Sequence, residues 1–238
     1  WREIDSLAEA YDLMFDAVIN HSSVESDLFR KYLAGHPDYQ DYFITVENEA
    51  DIRDVFRPRA LPLLTEFETP DGIKRVWTTF SADQVDLNYQ HPQVLIDIVK
   101  ILLAFVAHGA RFIRLDAIAY IWKEPGTSCI HLENAHRIVQ LFRAIFDCVA
   151  PFVKIITETN VPHEDNISYF DDGTNEAQLV YNFTLPPLVL HAFHTQNADT
   201  LTHWAKTLKT PSEETHFLNF LASHDGIGVT PAKKLDLG

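Results

Sequence analysis

Cysteine is scarce. The chain holds two, Cys129 and Cys148, and their spacing forms neither a zinc nor a redox motif. Two reduced thiols in a cytoplasmic protein are the expectation. Basic charge is short as well: 19 Lys and Arg stand against 34 Asp and Glu, a formal net charge of −15. That balance argues against nucleic acid as the main partner and against a generic anion binder, so an anionic substrate would need a local basic patch. No run of 18 apolar residues occurs, so no membrane span or membrane partner is expected. The longest apolar stretch, VLIDIVKILLAFVAH, carries Asp97 and Lys100 and reads as a buried helix. The opening residues show no signal-peptide pattern, so none is expected. Neither G-x-G-x-x-G nor G-x-x-x-x-G-K-[ST] is present, which leaves a nucleotide-binding sheet without motif support. Methionine occurs once, at Met14, and the chain opens on Trp1 inside a helical pattern. We read it as an internal fragment of a longer protein.

What is there fits a large α/β domain. The 238 residues are 46% apolar and 22% charged, ordinary for a chain with a real core. Helix patterns over 3–11, 92–108, 132–148 and 197–208, and another starting at PPLVLHAF, alternate with strand patterns over 13–19, 111–116, 153–158, 178–183 and 217–222. Gly109 stands where it can end the second helix. Strands separated by helices imply parallel β/α units, as in part of a (β/α)₈ barrel or a doubly wound sheet. Residues 22–90 are polar, rich in Pro, acids and aromatics, and lack sustained period, which is too long for a simple loop. The expected division is an incomplete barrel over 1–22 and 91–238, with an inserted subdomain over 23–90.

Charged and imidazole groups recur at the C-terminal ends of the strands. RFIRLDAIAY sets Arg114 and Asp116 two positions apart in an apolar run, on one face if the run is extended. The first strand leads to Asn20 and His21, the third ends in Glu158, and the last leads to His224 and Asp225. In a (β/α)₈ barrel the functional residues gather at this rim. Any one of them alone reads more readily as a cap or turn residue. Four strands each delivering such a group weaken that reading.

These stretches resemble the α-amylase superfamily, glycoside hydrolase family 13. DAVINH (16–21), RFIRLDAIAY (111–120), ITET (156–159) and ASHDG (222–226) are similar to its four conserved regions, in order, and QVDLNY (84–89) to the short region closing its inserted domain. FRPRALPLLTEFETPDG, TETNVPHEDNISYF, VYNFTLPPLVLHAF and SHDGIGV resemble the sucrose phosphorylase branch, whose members act on sucrose, sucrose 6-phosphate, glucosylglycerol or glucosylglycerate. IWKEPGTSC is shared with amylosucrases. The resemblance implies that the chain spans about the third to seventh β/α units of the barrel, with the inserted domain after the third strand.

A retaining glycosidic cleavage needs two carboxyl groups about 5–5.5 Å apart across the anomeric carbon. The resemblance gives attack to Asp116, acid/base work to Glu158, and a grip on sugar hydroxyls to Asp225, with His21 and His224 on the same glucosyl unit. Arg114, beside Asp116 in sequence, would keep that carboxylate ionised and aimed. Glu158 follows an apolar strand, and surroundings poor in compensating charge would keep it protonated. His163 and His191 fall in matching stretches but are assigned no role.

A phosphorylase must also concentrate phosphate. Arg57 and Arg59, held extended by Pro58, supply forked donors for its oxygens, and the resemblance carries the acceptor-site arginine to Arg59. The family more often has Tyr where this chain has Phe56. The competing reading pairs both arginines with nearby acids such as Asp51, Asp54 and Glu66. No calcium-loop spacing is visible, so no metal and no cofactor is expected, with inorganic phosphate as co-substrate. The partners expected are a small-molecule α-glucoside and phosphate, with a homodimer for the full-length protein. The alternatives are an α-glucosidase, an amylosucrase-like transglucosidase or an amylase, and, from another class, a non-catalytic sugar-binding barrel. Against the last stands the presence of Asp116, Glu158 and Asp225 together. Among acceptors, fructose, fructose 6-phosphate, glycerol and glycerate stay open.

Overall fold

Short apolar runs become strands and the longer periodic runs become helices. The computed structural model describes residues 1–48 and 52–229. In chain order the elements are α1 (Arg2–Ala8), β1 (Leu13–Ala17), β2 (His21–Ser23), α2 (Asp27–Leu33), β3 (Leu64–Thr69), β4 (Gly72–Trp77) and β5 (Gln84–Asp86). They continue as α3 (Pro92–Ala107), β6 (Ala110–Leu115), α4 (Glu133–Val149), β7 (Lys154–Thr157), α5 (His163–Ile167), β8 (Leu179–Tyr181), α6 (Leu185–Thr195), α7 (Asp199–Ala205) and β9 (His216–Leu218). The main sheet has the order β1-β6-β7-β8-β9. Its pairs β6–β7, β7–β8 and β8–β9 are parallel, with helices in each connection, as the alternating pattern predicts.

The chain divides into two compact units. One comprises Trp1–Phe15, Gly109–Leu115 and the chain from His136 onward. Ile113, Leu115, Ile155 and Val180 of its strands are fully buried, as are Phe142 and Phe146 on α4. Each such side chain contributes roughly 1.5–3 kcal/mol. Gly109 has φ 87°, the left-handed geometry that ends α3, and a Cβ there would collide with the Ala8 side chain. Glu176 is buried and meets His136 Nδ1 at 3.0 Å while accepting from Gln140 Nε2 at 3.0 Å.

The other unit comprises Asp16–His108 and Asp116–Ala135. It takes in the region expected to be an inserted subdomain and extends beyond 23–90 on both sides. This region is more ordered than its polar sequence suggests. Ser26 caps α2 by accepting from Phe29 N–H at 3.2 Å, a stabilisation of about 1 kcal/mol. Phe29 meets Phe43 and Phe67 edge-on, both at 4.9 Å between centroids. β3 and β4 form a hairpin from Leu64↔Trp77 to Thr69↔Gly72, and β2 pairs antiparallel with β5, His21 opposite Asp86.

Several boundaries differ from expectation. α3 buries only one face, through Val94, Ile98 and Leu102, while Ile96 and Ile101 are exposed. β9 stops at Leu218 instead of running to 222. It is the last strand in the sheet order, and beyond Leu218 the side chains leave the ladder. Asn219 Oδ1 accepts from Asn182 Nδ2 at 2.9 Å, and Phe220 packs edge-on against Tyr181 and Phe183.

Candidate active site

Asn20 lies on the link between β1 and β2 and His21 is the first residue of β2; both are buried. A charged cluster fixes Asn20. The Lys123 ammonium lies 2.5 Å from Asp86 Oδ2, donates to Asn20 Oδ1 at 2.8 Å, and donates to the Tyr120 carbonyl. Asp86 is fully buried and also accepts from Asn20 Nδ2 at 3.0 Å, Thr79 N–H at 2.8 Å and the Thr79 hydroxyl at 2.6 Å. A buried ion pair is tolerated only with its remaining lone pairs satisfied in this way. The Asn20 carboxamide thus faces an ammonium through its oxygen and a carboxylate through its nitrogen. Among the described residues no three His, Cys, Asp or Glu side chains are grouped to hold a metal ion.

His21 lies with Nε2 at 2.9 Å from Gln84 Nε2 and its ring centroid 5.6 Å from that of Phe80. Burial holds its pKa below the ordinary 6.5, outweighing the carboxylates of Asp86, Asp116 and Asp83, while Lys123 adds to the lowering. The imidazole is therefore neutral near pH 7 and suited to hydrogen-bonding a hydroxyl. Phe80 also meets Tyr120 edge-on at 5.3 Å, and Tyr120 lies 6.4 Å from Phe56. Gln84, Phe80, Asp86 and Lys123 were not singled out by residue type. QVDLNY and IWKEPGTSC marked two of the segments that carry them, but a single sequence does not pair residues so far apart.

Asp116 and Glu158 each follow directly on the last residue of neighbouring parallel strands. Leu115 of β6 and Thr157 of β7 are register partners. The ladder continues through Asp116 N–H to the Ala17 carbonyl and Glu158 N–H to the Leu115 carbonyl, both 3.1 Å. After Asp116 the backbone turns sharply, with Ala117 at φ 50°. A left-handed non-glycine residue carries strain and is a mark of functional loops.

Arg114 corrects one expectation. Its guanidinium is 4.0 Å from Glu158 Oε1, both side chains being largely buried, and it lies 5.5 Å from the centre of the Tyr181 ring. Glu158 thus has a cation beside it, so its surroundings are not poor in compensating charge. The reason lies in the sheet: Arg114 and Ile156 are register partners, which brings the arginine alongside the residue two positions beyond Ile156.

His224 and Asp225 do not sit at a strand end. They lie in the turn closed by the Ser223–Gly226 bridge, 3.8 Å apart, with side chains 69% and 55% exposed. The early end of β9 accounts for this placement. Arg57 donates to the Leu61 carbonyl, closing the arginine loop on itself. Asp51 lies outside the described residues. Cys129 and Cys148 are both free thiols, as expected.

Comparison with known proteins agrees with the sequence motifs. The family described as "Alpha amylase, catalytic domain" matches residues 8–230. A glucosylglycerate phosphorylase of Allomeiothermus silvanus is 58% identical over 232 residues, 98% of this chain and 42% of its own length. The glucosylglycerate phosphorylase of Escherichia coli is 55% identical over 236 residues, again with 42% of its length covered. The chain therefore spans less than half the length of these relatives. Among solved structures, the sucrose 6F-phosphate phosphorylase from Thermoanaerobacter thermosaccharolyticum superposes with a TM-score of 0.84 at 27% identity, over 99% of this chain and 49% of that one. The chain belongs to the α-amylase catalytic-domain family, glycoside hydrolase family 13, in its sucrose phosphorylase-like branch.

Proposed function

We propose that the intact enzyme is a retaining α-glucosyl phosphorylase whose glucosyl donor is a glucosylglycerate. The observation that carries the mechanism is the register of β6 and β7, which sets Asp116 and Glu158 at the ends of adjacent parallel strands. Asp116 attacks the anomeric carbon while Glu158 protonates the leaving oxygen. The glycosidic bond breaks, an ester to Asp116 forms, and the alcohol departs. A phosphate oxygen then attacks the same carbon, the ester breaks to regenerate the Asp116 carboxylate, and Glu158 takes the phosphate proton. The product is α-glucose 1-phosphate.

His21 hydrogen-bonds the glucosyl unit, and Arg57 and Arg59 receive phosphate. Asp225 and His224, exposed in this structure, complete the sugar grip with the rest of the enzyme around them. The five strands are about the third to seventh of the barrel, with 23–90 inserted after the third. The enzyme works in the cytoplasm without metal or cofactor, as a homodimer. Support for glycerate over fructose comes from the names of relatives at 55–58% identity, set against sucrose phosphorylases at 28–29%.

A phosphorolysis screen of the intact enzyme tests this reading. Glucosylglycerate, sucrose, sucrose 6-phosphate and glucosylglycerol are supplied with and without phosphate, and α-glucose 1-phosphate is detected. Phosphate-dependent release from glucosylglycerate is expected. Glucose release indifferent to phosphate would make the enzyme a hydrolase, and no turnover of any glucoside would favour a non-catalytic barrel.

A further inference from the structure

The arginine loop is stapled at both ends. On one side, Phe56 N–H donates to the Ser128 carbonyl at 2.8 Å. On the other, the Leu63 carbonyl accepts from Thr78 N–H at 2.7 Å and from the Thr78 hydroxyl at 3.2 Å. Between these anchors stand Arg57 and Arg59. The apolar residues flanking them, Val55 and Leu63, are buried in one cluster with Val46, Trp77 and Cys129. The cysteine comes from a different segment, the turn that also supplies the Ser128 carbonyl.

That turn, 124–129, is wound around the Cys129 thiol. Cys129 Sγ lies 3.4 Å from both the amide nitrogen and the carbonyl oxygen of Glu124, accepting from one and donating to the other. The Thr127 hydroxyl donates to the Glu124 carbonyl at 2.8 Å and accepts from Cys129 N–H at 3.2 Å. Cys129 is 2% exposed and has φ 51°, a conformation that persists only where surrounding contacts over-determine it. Sulfur suits the position twice. Its long bonds span distances a hydroxyl would shorten, and it behaves as a small apolar group among Val46, Val55, Leu63 and Trp77.

We propose that Cys129 is a positioning residue for the phosphate step. Its thiol fixes the 124–129 turn, the Ser128 carbonyl of that turn fixes Phe56, and Phe56 sets where Arg57 and Arg59 present their guanidinium groups. The inference rests on the phosphorylase reading of those arginines. It adds that the geometry of the acceptor site is set by a buried thiol that never touches substrate. Water needs no cationic cradle, so hydrolysis of the glucosyl-enzyme is independent of this brace.

The experiment compares Cys129→Ser, Cys129→Ala and Thr127→Val in the intact enzyme, measuring the KM for inorganic phosphate and the rate of glucosyl hydrolysis without phosphate. Serine draws the turn inward, alanine releases it, and Thr127→Val loosens it from outside the core. The expected result is a phosphate KM raised about tenfold in the cysteine variants and in the same direction in Thr127→Val, with hydrolysis within twofold of the parent. A phosphate KM within twofold of the parent in all variants, or hydrolysis and phosphorolysis falling in parallel, overturns it. If the cysteine variants do not fold, Thr127→Val decides by the same criterion. Arg59→Ala separates the two layers. If it leaves the phosphate KM unchanged, the arginine loop is not the phosphate site. If it raises the KM while the turn variants do not, only the role of Cys129 falls.

Discussion

The Arg114 guanidinium stands 4.0 Å from the Glu158 carboxylate, although Arg114 lies much nearer in sequence to Asp116. On the acid/base role proposed for Glu158, an arginine at this distance would orient the carboxylate and stabilise it when ionised, after the proton has gone to the leaving group. Arg114→Leu is expected to lower kcat/KM on a natural glucoside by on the order of 100-fold. With glucosyl fluoride, whose leaving group needs no proton, the loss should be much smaller. Equal losses on both substrates would show that Arg114 does not act through Glu158.

Lys123 neutralises Asp86 where neither side chain reaches solvent, at 4% and 0% exposure. Lys123→Met leaves that carboxylate buried without its counter-charge and is expected to cost about 3–5 kcal/mol in urea unfolding. Adding Asp86→Asn should restore a large part of the loss. A single Lys123→Met variant within about 1 kcal/mol of the parent would contradict the account of the cluster.

The strand-end positions of Asp116 and Glu158 were legible because both residues follow apolar runs. Asp116 and Glu158 directly follow β6 and β7, where the run itself marks the strand. What was not legible depends on partners distant in sequence. Lys123 finds Asp86 only through the fold, and Arg114 reaches Glu158 only through the β6–β7 register. The polar stretch after β2 has no long period because its order comes from an aromatic cluster, Phe29, Phe43 and Phe67, and from a hairpin whose faces are incompletely buried. β9 read too long because Phe220 and Leu221 look like strand residues, whereas Phe220 packs on aromatics of β8 and its following loop.

Stability should rise with pH across the acid range. Burial holds the pKa of both His21 and His163 below 6.5. The unfolded chain therefore takes up these protons near 6.5 while the folded chain still refuses them. Between the folded and unfolded values the unfolded state binds more protons, so stability is complete above about 6.5 and falls as pH drops toward the folded values. Urea midpoints measured from pH 7.5 to 5 should show this slope. His163→Phe, which keeps a ring against Phe217, should flatten it; an unchanged slope would exclude His163 as a contributor.

Gly109 ends α3 with a positive φ, and a side chain there meets Ala8. Gly109→Ala is expected to destabilise by about 1–3 kcal/mol. Shortening Ala8 to Gly in the same chain should recover the steric part and leave the backbone part. A neutral Gly109→Ala substitution would contradict both contributions.

The proposed double displacement is tested most directly by trapping its intermediate. The intact enzyme carrying Glu158→Gln is mixed with α-glucosyl fluoride, quenched in acid and digested, and the peptides are weighed. Fluoride leaves without an acid, and the missing base slows release. A glucosyl adduct is therefore expected on the peptide containing Asp116, and it should be absent when Asp116→Asn is added. An adduct on another carboxylate, or the same labelling in the Asp116→Asn chain, would contradict the assignment.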